Sequence, residues 1–481
     1  MTSVLEQISK LQQQVDASAV LSIQKIPQSG SERSYYRIQT STNSYIATYG
    51  ENIKENETFL YFARHFINAD LAVPEIYAQN IEGTIYIQED FGDTSLLNVL
   101  ELEGFSDRAF SLYAKSLSYL AAMQVQGHEQ LDYSKALTSA SFGKEAIMAD
   151  LLYFKYYFVD ALRRPYDKQK LLQDFEALST FLSHTAHRYF MFRDFQSRNI
   201  LITQDDNCKF IDFQGGMQGA PQYDVASLLW QAKANLPQQW KTDLLESYLD
   251  AFETEIAEKI NRDNFKTQYN GYVLIRMLQV LGAYGFRGLF ERKAHFLTSI
   301  PFALQNLKSF LASHNLGITL PEFDAILQRC ISDEVIQQFT NIKATADTRL
   351  QVTINSFSYL KNGYPADATA NGGGFVFDCR GILNPGRKDE YKKQSGEDKP
   401  VIDYLENETK MTDFLTNVYN VIDISVEDYI NRDFESLMIN FGCTGGQHRS
   451  VYAANAVARH LKNKYGVKLE VNHLNKENWK Q

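Results

Sequence analysis

Cysteine is scarce. Cys208, Cys330, Cys379 and Cys443 stand far apart with no Cys-x-x-Cys pair, which argues against a disulfide framework and a clustered zinc site and leaves four reduced thiols. With 10 Pro and 26 Gly the chain is too poor in both for a low-complexity polymer. No apolar run approaches the roughly 20 residues that a bilayer span requires, since even "VLIRMLQVLGAYGF" is interrupted by Arg276. The start, "MTSVLEQISKLQQQVDASAV", lacks the basic opening and apolar run of a signal peptide. The expectation is a cytoplasmic protein with no membrane contact. Positive charge is also short: 48 Lys and Arg against 58 Asp and Glu leave a net charge of -10, which on average repels nucleic acid. The locally basic C-terminal stretch, Arg459 to Lys480, reads as a solvated helix face.

What remains is ordinary globular material, 44% hydrophobic and 22% charged over 481 residues, long enough for two or three domains. The first 95 residues read as strands and turns around one helix. "SYYRIQTSTNSYIATYG" and "IYAQNIEGTIYIQEDFG" resemble hairpins, the second turning at Glu82-Gly83, and "KENETFLYFARHFINADL" carries Phe59, Leu60, Phe62, Phe66 and Ile67 on one helical face. Residues 96–314 are mostly helical, interrupted by the strand pair "NILITQDDNCKFIDF" with a turn at Asp205-Asp206-Asn207. Gly317 and Pro321 punctuate a connection at 315–348, and 349–481 alternates strands with helices as a compact α/β domain does.

The chemistry concentrates in two places. In "MFRDFQSRNILI", Asp194 and Asn199 close an Asp-x-x-x-x-Asn loop before a strand, and the returning strand delivers Asp212 at its end. Transfer of a phosphoryl group to a hydroxyl needs a carboxylate to accept the hydroxyl proton and oxygen ligands to hold magnesium against nucleotide phosphates. "FRDFQSRNILI" followed by "FIDFQGG" resembles the paired motifs of kinase-fold enzymes. With "APQYDVASLL" it is similar to the aminoglycoside phosphotransferase branch, and more narrowly to the anomeric kinases of N-acetylmuramate and N-acetylglucosamine.

That resemblance, covering about residues 1 to 310, implies Asp194 as catalytic base, Asn199 and Asp212 as magnesium ligands, and Arg193 and Asp224 as braces of the catalytic loop. It implies ATP and magnesium as cofactors, with nucleotide contacts at Gly30, Ser31 and Arg33 and at a hinge formed by Glu89, Asp90 and Phe91. Two departures stand out. Phe192 replaces the usual His, and the strand "SYIATYG" offers Thr48 or Tyr49 where a phosphate-gripping lysine belongs. Arg33, Arg37 and Lys54 are the nearest cations. Glu57 occupies the place of the lysine's helix partner. Either Arg33 compensates, or the nucleotide site is lost and the domain is a pseudokinase scaffold. For the acceptor, the aromatic stretch Tyr153, Phe154, Tyr156 and Tyr157 with Arg163 and Arg164 fits a sugar.

The second place is "NFGCTGGQHRSV", a Gly-rich turn between a strand and a helix, where backbone N–H groups attract an anion. It also satisfies Cys-x-x-x-x-x-Arg-Ser, the spacing of cysteine phosphatases, with Cys443 as the thiolate. "SFSYLKNGYPADA", "FVFDCRGILNP" and "GCTGGQHRSVYAANAVARHL" resemble the C-terminal domain of the RapZ adaptor family. That resemblance implies a phosphate loop of Cys443, Thr444, Gly445, Gly446, Gln447, His448, Arg449 and Ser450 with Asp378 and Arg380 nearby, an amino-sugar phosphate as effector, and RNA as a partner that the net charge disfavours. The expected architecture is an α+β protein-kinase-like bilobal domain, its lobes at 1–95 and 96–314, followed by a separate α/β C-terminal domain. The expected partner is a small-molecule sugar substrate.

Overall fold

The computed structural model of the chain describes residues 3–26, 33–291, 294–297, 299–340, 343–367, 369 and 373–479. Gly30 and Ser31 lie outside them. The chain divides into two compact units, Met1–Phe339 and Thr340–Gln481.

The first unit opens with α1 (Val4–Val15) and a five-stranded antiparallel sheet of β1 (Val20–Lys25), β2 (Ser34–Thr40), β3 (Ser44–Tyr49), β4 (Ile76–Gln79) and β5 (Ile85–Glu89), ordered β1-β2-β3-β5-β4. Both expected hairpins are present as β2–β3 and β4–β5. The second turns where Gly83 adopts a φ of 71° that a β-carbon would strain. Alternation sorts the sheet into two faces. Ile38, Tyr45, Ala47, Ile85 and Ile87 form one core with Ile8 and Leu11 of α1. The other face receives α2 (Ile53–Asn68), capped by Asn52 accepting the Glu55 N–H, with Phe59 stacked on Tyr86 of β5.

The chain leaves β5 through Asp90–Asp93 into the helical half: α3 (Leu96–Glu103), α4 (Asp107–Val125), α5 (Lys144–Phe154) and α6 (Lys168–Ser183). Short strands follow, β6 (Tyr189–Met191), β7 (Ile200–Ile202), β8 (Cys208–Phe210) and β9 (Met217–Gly219), pairing as β6–β9 and β7–β8. Then come α7 (Gln222–Leu229), α8 (Gln238–Glu255), α9 (Arg262–Tyr284), α10 (Ala294–Leu297) and α11 (Ile300–Ser313). By length and composition α9, with its continuation to Phe290, could cross a membrane, yet much of it is buried against α5, α7 and α11.

The expected connection at 315–348 is different in kind. Two helices, α12 (Pro321–Cys330) and α13 (Asp333–Phe339), occupy its centre and belong to the first unit. Gly317 and Pro321 mark a helix start rather than a linker. Phe323, Ile326, Leu327 and Cys330 sit at helical spacing and are all buried. The Phe323 N–H donates to Asp174 Oδ2 at 2.9 Å, and its ring meets Phe175 edge-on at 5.0 Å.

The second unit is a parallel sheet of β10 (Gln351–Ser358), β11 (Gly374–Asp378), β12 (Ser436–Cys443) and β13 (Lys468–His473), in the order β11-β12-β10-β13. Its helices are α14 (Lys399–Asn407), α15 (Met411–Asn431) and α16 (Arg449–Lys464). Val352 and Ile354 of β10 and Ile439 and Phe441 of β12 are buried in one core with Ala453, Val457 and Leu461 of α16.

Phe323→Ala should cost the first unit about 3 to 4 kcal/mol through the cavity it leaves. In denaturant unfolding of the full chain, the transition of the first unit should fall while that of the second stays in place.

Candidate active site and C-terminal loop

The catalytic loop is fixed from below. Asp224, in the first turn of the fully buried α7, accepts the backbone N–H of Phe192 at 2.7 Å and of Arg193 at 2.9 Å, and the Gln124 amide at 3.2 Å. Burial pushes its carboxyl from 3.8 up to about 7, against the lowering effect of those donors. Arg193 stands at a φ of 77°, a left-handed conformation that a non-glycine residue holds only under constraint. Its guanidinium reaches Asp150 at 3.0 Å and lies over the rings of Phe142 and Tyr223. Phe192, in place of histidine, is wholly buried among Phe195, Phe210 and Phe213, so packing holds the loop where a hydrogen bond could have.

The β7–β8 pair brings the three expected oxygen donors together. Asn199 Nδ2 donates to the Asp194 carbonyl at 2.9 Å and to Asp212 Oδ2 at 3.2 Å, which leaves Asn199 Oδ1 as its acceptor atom. Asp212 stands at a φ of 69°. An amide oxygen beside one carboxylate is a hard, oxygen-only donor set of the kind magnesium takes when substrate phosphates complete its shell.

Four more side chains, three of them from distant segments, complete the cluster. Arg276 of α9, 7% exposed, donates from Nη2 to Asp194 Oδ1 at 3.2 Å while Nε holds Ser227 Oγ at 3.0 Å and Nη1 holds Gln279 Oε1 at 2.5 Å. Arg33, 4% exposed, lies 3.3 Å from Glu55 Oε1 and 3.3 Å from Asp212 Oδ1. Gln214 Nε2 donates to Asp212 Oδ1 at 3.0 Å. The helix carboxylate at this cluster is therefore Glu55, and Glu57 is exposed. Helix geometry explains the correction: Glu55 shares its face with Phe59, Phe62 and Phe66, whereas Glu57 lies about 200° away.

At the hinge, Glu89 gives its N–H to the Glu75 carbonyl at 2.9 Å. The Asp90 carboxylate faces the sheet, held by Arg37 at 2.7 and 3.0 Å and by Ser44 at 2.5 Å. Phe91 lies under the Lys209 ammonium.

Beside Asp194 a cleft of about 270 Å³ opens, lined by Gln196 and Arg198 of the loop, Trp230, Gln231 and Lys233 after α7, Arg276 and Tyr284 of α9, and Asn306. No carboxylate is among its lining side chains. The expected sugar platform is elsewhere: none of Tyr153, Phe154, Tyr156, Tyr157, Arg163 and Arg164 lines this cleft. Phe154 is core, Tyr153 and Tyr157 pack on Phe286, and Arg164 pairs with Glu334.

In the second unit, the Gly-rich turn sits at the C-terminal ends of β12 and β10. Ser358 Oγ donates to the Thr444 carbonyl at 2.7 Å, Asn475 Nδ2 to the Gly445 carbonyl at 2.7 Å and Trp479 Nε1 to the Gly446 carbonyl at 2.8 Å. Gly446 has a φ of 63°, and a β-carbon there would lie 3.0 Å from Ser358 Cβ. The Cys443 thiol is buried, 3.1 Å from Ser450 Oγ and accepting the Gly446 N–H at 3.2 Å.

Three side chains of the expected phosphate loop face its own support. Gln447 donates to the Gln394 carbonyl at 2.8 Å, His448 Nε2 to the Tyr391 carbonyl at 2.9 Å, and Arg449 Nη1 to the carbonyls of Ile382 at 2.7 Å and Arg380 at 3.1 Å. Burial lowers the His448 pKa, so it adds no positive charge at neutral pH. The guanidinium that a cysteine phosphatase needs over its anion is here tying down a neighbouring loop. Asp378 and Arg380 pair with each other at 2.7 Å on the surface. The exposed part of the turn is Thr444 and Gly445, which precede α16, a helix whose own first-turn N–H groups lack intrahelical acceptors.

Asp224 sets a pH dependence. Its folded pKa lies above its unfolded one, so between about pH 4 and 7 the folded chain keeps a proton that the unfolded chain has lost. The stability owed to this group is complete below about pH 4 and declines as pH rises toward 7. In thermal unfolding from pH 5 to 7.5, the first unit of the wild type should lose more stability than Asp224→Asn, whose own unfolding should be flatter across that range.

The comparisons with known proteins agree with this division. Residues 22–259 match the phosphotransferase enzyme family, and residues 350–477 match the RapZ C-terminal domain. A nucleotide-binding protein of Glaesserella parasuis is 29% identical over 246 residues, 50% of this chain and 78% of the relative. One of Clostridium botulinum is 35% identical over 140 residues, 29% of this chain and 45% of the relative, so the chain spans less than half of that protein. Among solved structures, choline kinase LicA from Streptococcus pneumoniae is 13% identical with a TM-score of 0.41, over 64% of this chain and 100% of its own. Macrolide 2'-phosphotransferase MphH from Brachybacterium faecium is 13% identical with a TM-score of 0.43, over 61% and 95%. The chain thus pairs an α+β unit similar over residues 22–259 to the phosphotransferase enzyme family with a separate unit similar over residues 350–477 to the RapZ C-terminal domain.

Proposed function

We propose that the first unit transfers the γ-phosphoryl group of ATP to a sugar hydroxyl, and that the second binds a phosphorylated metabolite that tunes the transfer. The observation that carries the first half is the meeting of Asp194, Asn199 and Asp212 through Asn199 Nδ2, with Arg276 joining Asp194 to a cleft whose described lining holds no carboxylate.

In this reading Arg276 holds Asp194 Oδ1, so Oδ2 is the oxygen that accepts the acceptor's proton. As the proton leaves, the hydroxyl oxygen bonds to the γ phosphorus and the bond from that phosphorus to its bridging oxygen breaks, releasing ADP. Asn199 Oδ1 and Asp212 would hold magnesium, which neutralises phosphate charge when bound. The loop brace at Asp224 keeps Asp194 in register with both.

The cleft favours a neutral or anionic acceptor. Arg198, Lys233 and Arg276 would repel a polyamine or a quaternary amine, while Gln231 and Asn306 offer amide hydrogen bonds and Trp230 and Tyr284 offer flat apolar faces. An N-acetylated amino sugar, phosphorylated at its anomeric hydroxyl, suits those groups and the motif resemblance. In the second unit, the exposed Thr444 and Gly445 ahead of α16 support binding of an amino-sugar phosphate through backbone N–H groups.

ATP consumption with magnesium should be greatest with N-acetylglucosamine or N-acetylmuramate and near background with choline or an aminoglycoside. Asp194→Asn should lower kcat by about 10²- to 10⁴-fold with the fold intact. Turnover on choline alone would refute the acceptor reading, and undiminished turnover in Asp194→Asn would refute the base. Glucosamine 6-phosphate should change the rate of the full chain. An equal rate with and without it would remove the proposed link between the units.

A further inference from the structure

A cleft that holds a triphosphate beside Asp212 needs a fixed cation, and β3 carries none: its residues run Ser44, Tyr45, Ile46, Ala47, Thr48, Tyr49. Register identifies the face concerned. Tyr35 pairs with Thr48, and Thr48 with Tyr86, so these three share one face of the sheet. Tyr86 stacks on Phe59, and Phe59 on Phe213 beside Asp212, which marks this face as the one turned to the catalytic cluster. Arg33 lies just before β2, and its contacts with Tyr35 and Tyr86 put it on that face. Its guanidinium is over the Tyr35 ring, 3.4 Å from the Tyr86 hydroxyl, and between Glu55 and Asp212.

Two further observations single it out. Two other cations of this half, the ones nearest in sequence to β3, are engaged elsewhere: Arg37 with Asp90 and Asp93, and Lys54 with the Leu137 carbonyl. Space has also been kept for the Arg33 stem. A β-carbon on Gly50 would lie 3.1 Å from Arg33 Cγ and 2.9 Å from Asn56 Oδ1, while Asn56 is itself fixed to the carbonyls of Gly50 and Gly83.

We propose that Arg33, delivered from just ahead of β2, the strand next to β3, is the cation that grips the nucleotide phosphates, and that it passes to them from Asp212. This rests on the kinase reading. Both Asp212 oxygens already accept donors, Oδ1 from Arg33 and Gln214 and Oδ2 from Asn199. Arg33 thus holds the carboxylate in place before nucleotide arrives and is drawn off it by the more highly charged phosphates. Glu55 retains the other side of the guanidinium throughout, as the fixed pivot of that exchange.

The test moves the cation. ADP affinity is measured by calorimetry in EDTA, and steady-state rates with magnesium, for the wild type, Arg33→Gln, and Arg33→Gln combined with Thr48→Lys. Arg33→Gln should weaken ADP binding without metal and lower kcat/KM for ATP by about 100-fold or more, leaving KM for the acceptor within about threefold. Thr48→Lys in that background should recover at least about tenfold of both, because it returns a cation to the same face. Recovery by relocation is an outcome that a purely structural role for Arg33 does not give. Unchanged ADP affinity in Arg33→Gln, or a loss that Thr48→Lys leaves untouched in a protein that still melts cooperatively, would overturn the proposal while the kinase reading stands. A wild type that neither binds ADP nor consumes ATP would overturn both.

Discussion

The carboxyl of Asp224 is the constraint on which the rest of the first unit's chemistry depends. Two consecutive backbone N–H groups, of Phe192 and Arg193, end on its two oxygens inside a fully buried helix turn. That contact turns the chain out of β6 and holds Arg193 in its left-handed conformation. With Arg193 so placed, the carbonyl and side chain of Asp194 take up fixed positions: the carbonyl meets Asn199 and the carboxylate meets Arg276. Since Asn199 also reaches Asp212, one buried acid on α7 orders three residues that approach from different strands and loops. An unsatisfied acceptor there would cost about 1 to 3 kcal/mol, more if charged, so each donor is held as firmly as it holds.

Arginine does a second kind of ordering. Arg33, Arg193 and Arg276 each bring a guanidinium against a carboxylate of the catalytic region: Asp212 and Glu55, Asp150, and Asp194. Buried ion pairs rarely repay their desolvation in stability, and apolar replacements often match or exceed them. Their use here is geometric. Arg276 fixes one Asp194 oxygen by a fork whose other nitrogens are locked by Ser227 and Gln279. Lysine, a single mobile charge, could not fix orientation in that way. The same guanidinium that restrains Asp194 also lines the cleft.

How much of this was legible in the sequence depends on how far apart the partners lie. Asp194, Asn199 and Asp212 are linked by a short loop and one hairpin, so their spacing alone implied a shared cleft. Glu55 was also within reach: it stands at i, i+4, i+7 and i+11 with Phe59, Phe62 and Phe66, and only a motif-based expectation drew attention to Glu57. Arg276 is separated from Asp194 by 82 residues. A sequence shows it as a charge breaking an apolar run, and that interruption was the signal of a buried partner. The helices at 321–339 were read as a connection because Gly317 and Pro321 outweighed a three-turn apolar stripe. The cleft beside Asp194 was not legible, since its walls come from five separate segments.

The second unit shows the opposite economy of charge. Its loop resembles an anion cradle by sequence, yet Gln447, His448 and Arg449 are consumed in holding the 380–394 segment against the turn. What the turn presents outward is backbone, with Gly446 in a conformation that a side chain would obstruct. The turn lies at the C-terminal ends of the parallel strands β10 and β12, ahead of the positive end of the α16 dipole. Arg449 Nε is buried with no hydrogen-bond partner among the described residues, while Nη1 holds the Arg380 and Ile382 carbonyls and Nη2 reaches Thr444 Oγ1 at 3.5 Å. Phosphoester cleavage is poorly served there as well, because the Cys443 sulfur already accepts the Gly446 N–H and lies against Ser450 Oγ.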